Sequence, residues 1–212
     1  MIMDSKTKLL LNRGDVLPIM ETFYTIQGEG FHSGAPSYFI RIAGCDIGCQ
    51  WCDVKESWDA TQYPPIAIKE IIKDIQRYDP KIVVITGGEP LMWNLNNLTK
   101  ALKDLNIKIH LETSGAYTYS GEFDWVCLSP KKMKLPLNEI KSIADEMKVV
   151  VKNKYDLIWA EKQREGLKDN CKLYLQSEWS IRKKIIPLIL DYVKKNQYWS
   201  ISLQSHKYIN IP

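Results

Sequence analysis

Seven short apolar runs with strand character alternate with helical patterns from about residue 36 to the end of the sequence. This alternation is typical of βα units whose strands form a parallel sheet. The strand-like runs cover residues 37–43, 82–86, 108–113, 125–129, 147–151, 172–176 and 199–204. Segments with apolar residues at three- and four-residue spacing cover 66–78, 95–105, 155–167 and 181–193. The sequence therefore predicts an α/β fold built on a mostly parallel sheet.

Length and composition fit one globular domain over residues 1–212, with 45% hydrophobic and 25% charged residues. No linker or composition shift divides the chain. Residues 1–35 are predicted to hold an N-terminal strand or hairpin that ends in a glycine-rich turn. The mild net charge of +4, without a lysine–arginine block, gives no indication of direct nucleic-acid binding.

Two further features bear on the compartment. No apolar run approaches the roughly 20 residues of a membrane span, and the N-terminus lacks the apolar core of a signal peptide. The sequence has five cysteines, an odd number with three close together, which is typical of a reducing environment. We therefore expect a cytoplasmic protein with no membrane partner.

A compact polar motif follows each predicted strand. One such motif alone is most simply a helix cap or a turn. Ligands of α/β folds, however, bind at the carboxyl ends of the parallel strands, so a whole series predicts one broad binding face. The motifs are Gly44-Cys45, Gly87-Gly88-Glu89-Pro90, Glu112-Thr113-Ser114-Gly115, Ser129-Pro130-Lys131, Lys152-Asn153, Gln176-Ser177 and Gln204-Ser205-His206.

Three of the cysteines, Cys45, Cys49 and Cys52, form a C-x3-C-x2-C run. A [4Fe–4S] cluster normally takes four thiolates. This run supplies three, and Cys127 and Cys171 are isolated far downstream. Three thiolates from one loop would leave one iron open to a further ligand.

A Cys3His zinc site and a disulfide with a spare thiol are the alternatives for this run. The nearest histidine, His32, lies thirteen residues before Cys45. That separation exceeds the two to five residues expected within a zinc site of this kind, so the cluster is the favoured interpretation.

The cysteine run resembles the signature of the radical S-adenosylmethionine (SAM) enzymes, without a gap or an extra residue. In that superfamily the open iron chelates SAM, and reductive cleavage of the sulfonium yields a 5′-deoxyadenosyl radical. The resemblance implies two cofactors, a [4Fe–4S] cluster held by Cys45, Cys49 and Cys52, and SAM.

Other positions are candidate SAM contacts on the same resemblance. The motif at Gly87, Gly88 and Glu89 follows a buried strand, and glycines let a backbone lie close to a ligand. Such a motif receives the methionine amino group of SAM in the superfamily, although a strand-to-helix turn is the simpler alternative. Trp51 stands where an aromatic residue usually lies near the adenine. Groups for the ribose and carboxylate of SAM come from Glu112, Ser129, Lys131 and Gln176.

A glycine-rich segment, residues 27–30, precedes the first strand of the βα series, and by itself it could be only a hairpin turn. The order of motifs is more specific. It runs TIQGEG, RIAGC, the cysteine triad, TGGEP, ETSG, SPK and LQSHK. This order is similar to the 7-carboxy-7-deazaguanine synthases over about residues 20–212. That family belongs to the 7-deazapurine pathway leading to queuosine and related tRNA bases.

The resemblance implies a set of contacts to a pterin substrate. The turn would grip the edge of the pterin, and Arg41 would pair with the substrate carboxylate through its planar guanidinium fork. The turn contacts are Ile26, Gln27, Gly28 and Glu29. The remaining implied contacts are Thr86, His206 and the carboxylate of Pro212, the last residue of the sequence.

One position departs from the family pattern. The family usually has Cys-Asp-Thr at the end of the triad, and the threonine hydroxyl helps coordinate Mg²⁺. Here the run is Cys52-Asp53-Val54, so that oxygen is missing. Either the metal is held by substrate, water and Asp53, with Ser57 as a substitute ligand, or Mg²⁺ is dispensable.

The fold implied by the resemblance is a shortened, partial radical SAM barrel with an open sheet of about six strands. The implied reaction converts 6-carboxy-5,6,7,8-tetrahydropterin to 7-carboxy-7-deazaguanine with loss of ammonia and regeneration of SAM. The implied partners are this small-molecule pterin, a flavodoxin- or ferredoxin-type electron donor and a second copy of the chain in a homodimer. Two alternatives are a glycyl-radical-enzyme activase and a non-enzymatic Fe–S or zinc module.

Overall fold

The structure is a computed structural model and describes residues 4–212. Within this range the chain forms nine strands. They are β1 (Val16–Ile26), β2 (Pro36–Ile42), β3 (Pro65–Ala67), β4 (Ile82–Gly87), β5 (Lys108–Thr113), β6 (Trp125–Leu128), β7 (Glu146–Val151), β8 (Lys172–Ser177) and β9 (Trp199–Ser202).

Seven α-helices lie between or beside these strands in the described part of the chain. They are α1 (Ser5–Arg13), α2 (Ile68–Gln76), α3 (Asn96–Asp104), α4 (Asn138–Ile143), α5 (Lys154–Gln163), α6 (Arg182–Lys195) and α7 (Ser205–Ile209). Three short 3-10 helices span Lys55–Trp58, Ala60–Gln62 and Pro90–Met92. Among residues 4–212, no helix is both long and apolar enough to cross a membrane.

All nine strands belong to one sheet, in the order β3-β1-β2-β4-β5-β6-β7-β8-β9. From β2 to β9 every neighbouring pair is parallel, whereas β1 pairs antiparallel with both β2 and β3. The predicted open, mostly parallel sheet is confirmed. It has more strands than the six or so expected, partly because β3 lies at the start of the segment predicted as helix 66–78.

The N-terminal segment differs from its prediction. The hairpin formed by β1 and β2 is present, but helix α1 precedes it. The Asp4 carboxylate accepts a hydrogen bond from the Thr7 amide at 2.9 Å and caps the helix start. Gly14 ends the helix in the left-handed conformation, with φ of 73°. The part of the prediction that concerns residues 1–3 lies outside the described residues.

Buried apolar side chains form two main clusters. The larger one includes Tyr38, Ile40 and Val83 of the central strands, and the second includes Val149 and Leu175 of β7 and β8. Helices α2 and α3 pack against the first cluster, and α5 and α6 against the second. The helices therefore cover the strands on one side, and polar groups can face the other.

The sheet is strongly curved. Five strand-to-strand steps separate β1 from β7, which is on the order of 24 Å in a flat sheet. Yet Glu29, only three residues beyond the end of β1, contacts Lys148 in β7, and the Gly30 amide donates to Ser202 Oγ in β9 at 3.0 Å. The segment after β1 therefore crosses the hollow of the curved sheet.

Candidate active site

The hollow of the sheet holds a cavity of about 720 Å³. Every residue that the sequence singled out as a cofactor or substrate contact lines this cavity. The three cysteines line one part of it, and the turn after β1 lines another part. These lining residues are Ile26, Gln27, Gly28, Glu29, Arg41, Cys45, Cys49, Trp51, Cys52, Asp53, Val54, Thr86, Gly87, Gly88, Glu89, Glu112, Ser129, Lys131, Gln176, His206 and Pro212. The predicted binding face is thus one shared cavity.

The cysteine loop follows β2 and is fixed by its own backbone. The Cys45 amide donates to the Trp58 carbonyl at 3.1 Å, and the Cys52 amide donates to the Cys49 carbonyl at 3.0 Å. The Trp58 indole also donates to the Cys52 sulfur at 3.4 Å. Burial raises the pKa of the Cys45 thiol to about 11, so the thiolate form needs a positively charged partner such as iron.

The alternatives to a cluster fit this arrangement poorly. All five cysteines are free thiols, so the disulfide interpretation is wrong. His32 packs against the rings of His110 and Trp125, at centroid distances of 4.4 and 4.6 Å. It does not line the cavity of the triad, so it is no fourth ligand for a zinc ion there. Three thiols from one loop facing one cavity suit a cluster with an open iron.

The glycine pair after β4 lies against the start of the cysteine loop. The Gly88 amide donates to the Ile42 carbonyl at 2.9 Å, and the Glu89 amide donates to the Gly44 carbonyl at 2.8 Å. A Cβ on Gly87 would stand 2.0 Å from the Ile42 oxygen, and one on Gly88 would stand 2.4 Å from the Gly44 oxygen. The close approach that requires glycine is therefore to another backbone, and it couples this motif to the cysteine loop.

The Glu89 side chain is buried and fully used within the protein. Its Oε1 accepts from Thr113 Oγ1 at 2.5 Å and from the Leu91 amide at 3.1 Å. Its Oε2 accepts from the Ser114 amide at 2.7 Å and from the Ser114 hydroxyl. Glu89 thus joins the ends of β4 and β5, which leaves backbone atoms of this motif, rather than the carboxylate, to meet a ligand.

Three other predicted SAM contacts make hydrogen bonds within the protein. The Lys131 ammonium donates to the Ser129 carbonyl at 2.9 Å and to the Ser129 hydroxyl at 2.6 Å. Burial lowers the pKa of Lys131. Gln176 is buried and accepts from the Ser202 hydroxyl at 2.7 Å. Lys131 thus brings a positive charge to the cavity near the cysteines, where the carboxylate of a ligand could neutralise it.

The turn after β1 and the end of β5 are joined by Glu112. Its Oε1 accepts from Gln27 Nε2 at 3.0 Å, and its Oε2 accepts from the Thr86 hydroxyl at 3.2 Å. The Gln27 Oε1 accepts from the Glu29 amide at 3.0 Å, which holds the turn in shape. Glu112 therefore lies with the residues predicted to contact the substrate.

Glu29 is paired with a lysine that the sequence analysis did not single out. Its carboxylate accepts from the Lys148 ammonium and from Gln204 Nε2, the latter at 2.9 Å. Burial alone raises the pKa of Glu29, but Lys148 outweighs it and lowers the pKa to about 2. Lys148 was detectable in the sequence, since a lysine inside an apolar parallel strand is rarely buried without a charged partner.

Helix α7 packs against the turn after β1. The Ser205 amide and hydroxyl both donate to the Gly28 carbonyl, each at 2.9 Å. His206 packs so tightly on Gly28 that a Cβ there would stand 2.1 Å from its Nδ1. Burial lowers the pKa of His206, so its neutral ring faces the cavity at neutral pH. Pro212 also reaches the cavity lining.

Two of the residues considered for Mg²⁺, Asp53 and Ser57, make hydrogen bonds within the protein. The Asp53 carboxylate accepts from the Lys207 ammonium at 2.5 Å, which ties the cysteine loop to α7. Val54 lines the cavity without offering an oxygen from its side chain. The Ser57 hydroxyl is buried and donates to the Val54 carbonyl at 2.7 Å. Asp53 is therefore the carboxylate that the Cys52-Asp53-Val54 run offers, and the Ser57 hydroxyl is used within the loop.

The comparisons with known proteins agree with this site. Residues 39–124 match the model of the radical SAM superfamily. Together with the open parallel sheet and the three thiols facing one cavity, this match defines a radical SAM enzyme.

The relatives narrow the class. A 7-carboxy-7-deazaguanine synthase of Flavobacterium psychrophilum is 51% identical over 211 residues, which is 100% of both chains. One from a Synechocystis species is 43% identical over 92% of this chain and 93% of its own. The crystal structure of QueE from Escherichia coli has a TM-score of 0.82 at 28% identity, covering 96% of this chain and 100% of that one. The chain belongs to the 7-carboxy-7-deazaguanine synthase family, and this membership sets aside the activase and the non-enzymatic module.

Proposed function

We propose that this enzyme converts 6-carboxy-5,6,7,8-tetrahydropterin to 7-carboxy-7-deazaguanine with loss of ammonia, as a cytoplasmic step of 7-deazapurine biosynthesis. The observation that carries the proposal is the shared cavity, in which the three thiols and the polar turn after β1 line one space of about 720 Å³. A small planar substrate between them would lie within reach of a SAM-derived radical. When bound, the cluster and SAM supply the 5′-deoxyadenosyl radical that starts the reaction.

The cofactor side of the cavity is formed by the ends of β2, β4 and β6. Cys45, Cys49 and Cys52 would hold the cluster. The backbone of the glycine motif would meet the amino group of SAM, while Lys131 would face its carboxylate. Trp51, Ser129 and Gln176 would contact the nucleoside.

The substrate side is formed by the turn after β1 and by α7. The pterin ring carries N–H groups along one edge, and Glu29 and Glu112 offer carboxylate oxygens to them. Gln27, Gly28 and Ile26 would shape this edge, with Thr86 and His206 beside it. Arg41 would bind the substrate carboxylate, and Pro212 would lie next to the ring. We place Glu112 with the substrate because Gln27 and Thr86 are its partners.

Three further assignments belong to the proposal. Mg²⁺ would bind weakly beside the substrate, because Asp53 is the only acidic side chain of the Cys52-Asp53-Val54 run. A flavodoxin- or ferredoxin-type protein would deliver the electron, and the enzyme would act as a homodimer.

Anaerobic reconstitution with iron and sulfide, followed by assays of SAM cleavage and of product, tests the proposal. We expect 7-carboxy-7-deazaguanine and ammonia to form in equal amounts when the carboxy-pterin is present, with only slow SAM cleavage in its absence. Rapid SAM cleavage with no conversion of the pterin would overturn the proposal.

A further inference from the structure

Lys148 occupies the middle of β7 with only 6% of its side chain exposed. Its ammonium donates to Glu29 and lies 3.9 Å from Glu112 Oε1. The two acids come from segments far apart in sequence, the turn after β1 and the end of β5. One buried lysine therefore connects two carboxylates that both line the cavity.

The surrounding hydrogen bonds orient both acids. Gln204 donates to the second oxygen of Glu29, and Gln27 and Thr86 each donate to one oxygen of Glu112. Each oxygen can accept more than one hydrogen bond. The three side chains combine one ammonium with two carboxylates, so the buried cation is paired. The carboxylate oxygens can still accept hydrogen bonds from a ligand.

We propose that Lys148 is a positioning residue, whose ammonium pairs with Glu29 and holds Glu29 and Glu112 turned toward the N–H edge of the substrate ring. This inference rests on the proposed function for the identity of the ring. It assigns Lys148 no contact with the reacting atoms.

The electrostatics agree with this geometry. Burial alone would lower the pKa of Lys148, but Glu112 and Glu29 raise it well above its usual value. Without Lys148, the burial that raises the pKa of Glu29 would lose the charge that chiefly opposes it, so the pKa of Glu29 would rise. The other titratable groups facing Lys148 or Glu29 are Glu146, Cys127, Lys131 and His206.

Infrared titration of protein with ¹³C-labelled glutamate carboxyls tests the inference without substrate. Lys148→Met should show a band of a protonated, buried carboxyl that wild type lacks at the same pH, apart from any band of Glu146, whose pKa is raised by burial. Introducing Glu29→Gln or Glu112→Gln into that background assigns the band. Lys148→Gln, which keeps a hydrogen-bond donor but no charge, should show the same band and serves if Lys148→Met loses its cluster absorbance.

The matched control is Lys141→Met. Lys141 is also a buried lysine, but its ammonium donates to the Glu165 carbonyl at 2.6 Å, in a contact outside the cavity lining. It should leave the spectrum and the kinetics unchanged.

Kinetics then measure the effect on the substrate. The ratio of KM for the carboxy-pterin in Lys148→Met to that in wild type should rise to about 10- to 100-fold at the pH values where the carboxyl band is present, since charge-assisted hydrogen bonds are lost. Lys148→Arg should recover part of the affinity. In Lys148→Met, adding Glu29→Gln should change KM little at any pH at which the carboxyl band shows Glu29 to be protonated.

The outcomes separate the two proposals. Absence of the carboxyl band in both neutral variants would overturn the role of Lys148, whatever the substrate. Presence of the band with no change in KM would also overturn it. Presence of the band, assigned to Glu29, in an enzyme whose wild type does not convert the pterin would confirm that Lys148 keeps Glu29 ionised. The same result would refute both the ring assignment and the proposed reaction.

Discussion

The Arg41 Nε donates to Glu21 Oε1 at 2.6 Å, across the antiparallel pair of β1 and β2. The guanidinium also lies 5.8 Å from the centre of the Phe23 ring. Because Nε is the atom that Glu21 takes, the two terminal nitrogens of Arg41 stay available for a carboxylate in the cavity. The pair thus aims the arginine without occupying the edge that binds bidentately.

Arg41→Ala should raise KM for the carboxy-pterin by roughly ten- to a hundred-fold, because a charge-assisted pair is worth about 1.5–3 kcal/mol. Slow SAM cleavage without the pterin should change little. Glu21 is 46% exposed, so Glu21→Ala should cost at most about fivefold in KM. If Arg41→Ala instead lost cluster and thermal stability together, the arginine would be structural.

Replacing Cys45, Cys49 or Cys52 with alanine should abolish the visible absorbance of the cluster and all SAM cleavage, since each thiolate holds a different iron. Cys171→Ala should leave both intact. Cys127 is buried in β6 and lies outside the triad, so Cys127→Ala should also leave both intact. A triad variant that kept its cluster would contradict the assignment.

Gly28→Ala should displace His206, because the added Cβ would overlap the imidazole. We expect a rise in KM of tenfold or more, with cluster content unchanged. Gly34→Ala is the control in the same segment. It meets no atom within 4 Å, although its φ of 94° carries about 1 kcal/mol of strain. Equal effects of the two substitutions on KM would mean that the contact with His206 is unimportant.

Glu89→Gln should destabilise the fold rather than only weaken SAM binding. The Glu89 carboxylate is the acceptor in all four of its hydrogen bonds. In glutamine an NH₂ group replaces one carboxylate oxygen, so it would point at a donor and leave that donor without an acceptor. The expected cost is about 2 kcal/mol, or ~4–8 °C in Tm. Glu139 is exposed and accepts one amide, so Glu139→Gln should change Tm by about 2 °C or less. An unchanged Tm in Glu89→Gln would show that the buried network tolerates the amide.

Much of the fold could be predicted because its signals are local. Seven apolar runs became strands β2 and β4–β9 because buried parallel strands are continuously apolar. Helix α1 was missed although Asp4 and Gly14 are ordinary cap residues, because its apolar pattern is weak. Strand β3 was missed because its three residues flow directly into α2.

The candidate site could be assembled only in part. The positions lining the cavity follow from motifs, but the pairing of Glu29 with Lys148 joins residues 119 apart through the curvature of the sheet. A contact between residues so far apart in sequence leaves no signal in the local sequence pattern. For the same reason the sequence could not show that the hydrogen-bonding capacity of the Glu89 carboxylate is used within the protein. Its donors Thr113 and Ser114 come from a neighbouring strand.

The response to Mg²⁺ depends on Asp53, Val54 and Lys207. Mg²⁺ prefers octahedral oxygen ligands and keeps several waters, so a missing hydroxyl weakens the site without destroying it. The Lys207 ammonium now holds the Asp53 carboxylate and competes with the metal. We therefore expect half-maximal stimulation of wild type only at high Mg²⁺, or little stimulation at all.

Four variants locate the metal in a Mg²⁺ titration of turnover. Val54→Thr restores an oxygen, and Lys207→Met frees Asp53, so each should shift half-maximal stimulation to lower Mg²⁺. Ser57→Ala should leave the Mg²⁺ response unchanged, because the Ser57 hydroxyl is already donated to the Val54 carbonyl. Tight Mg²⁺ dependence in wild type that survives Asp53→Asn would place the metal away from this loop.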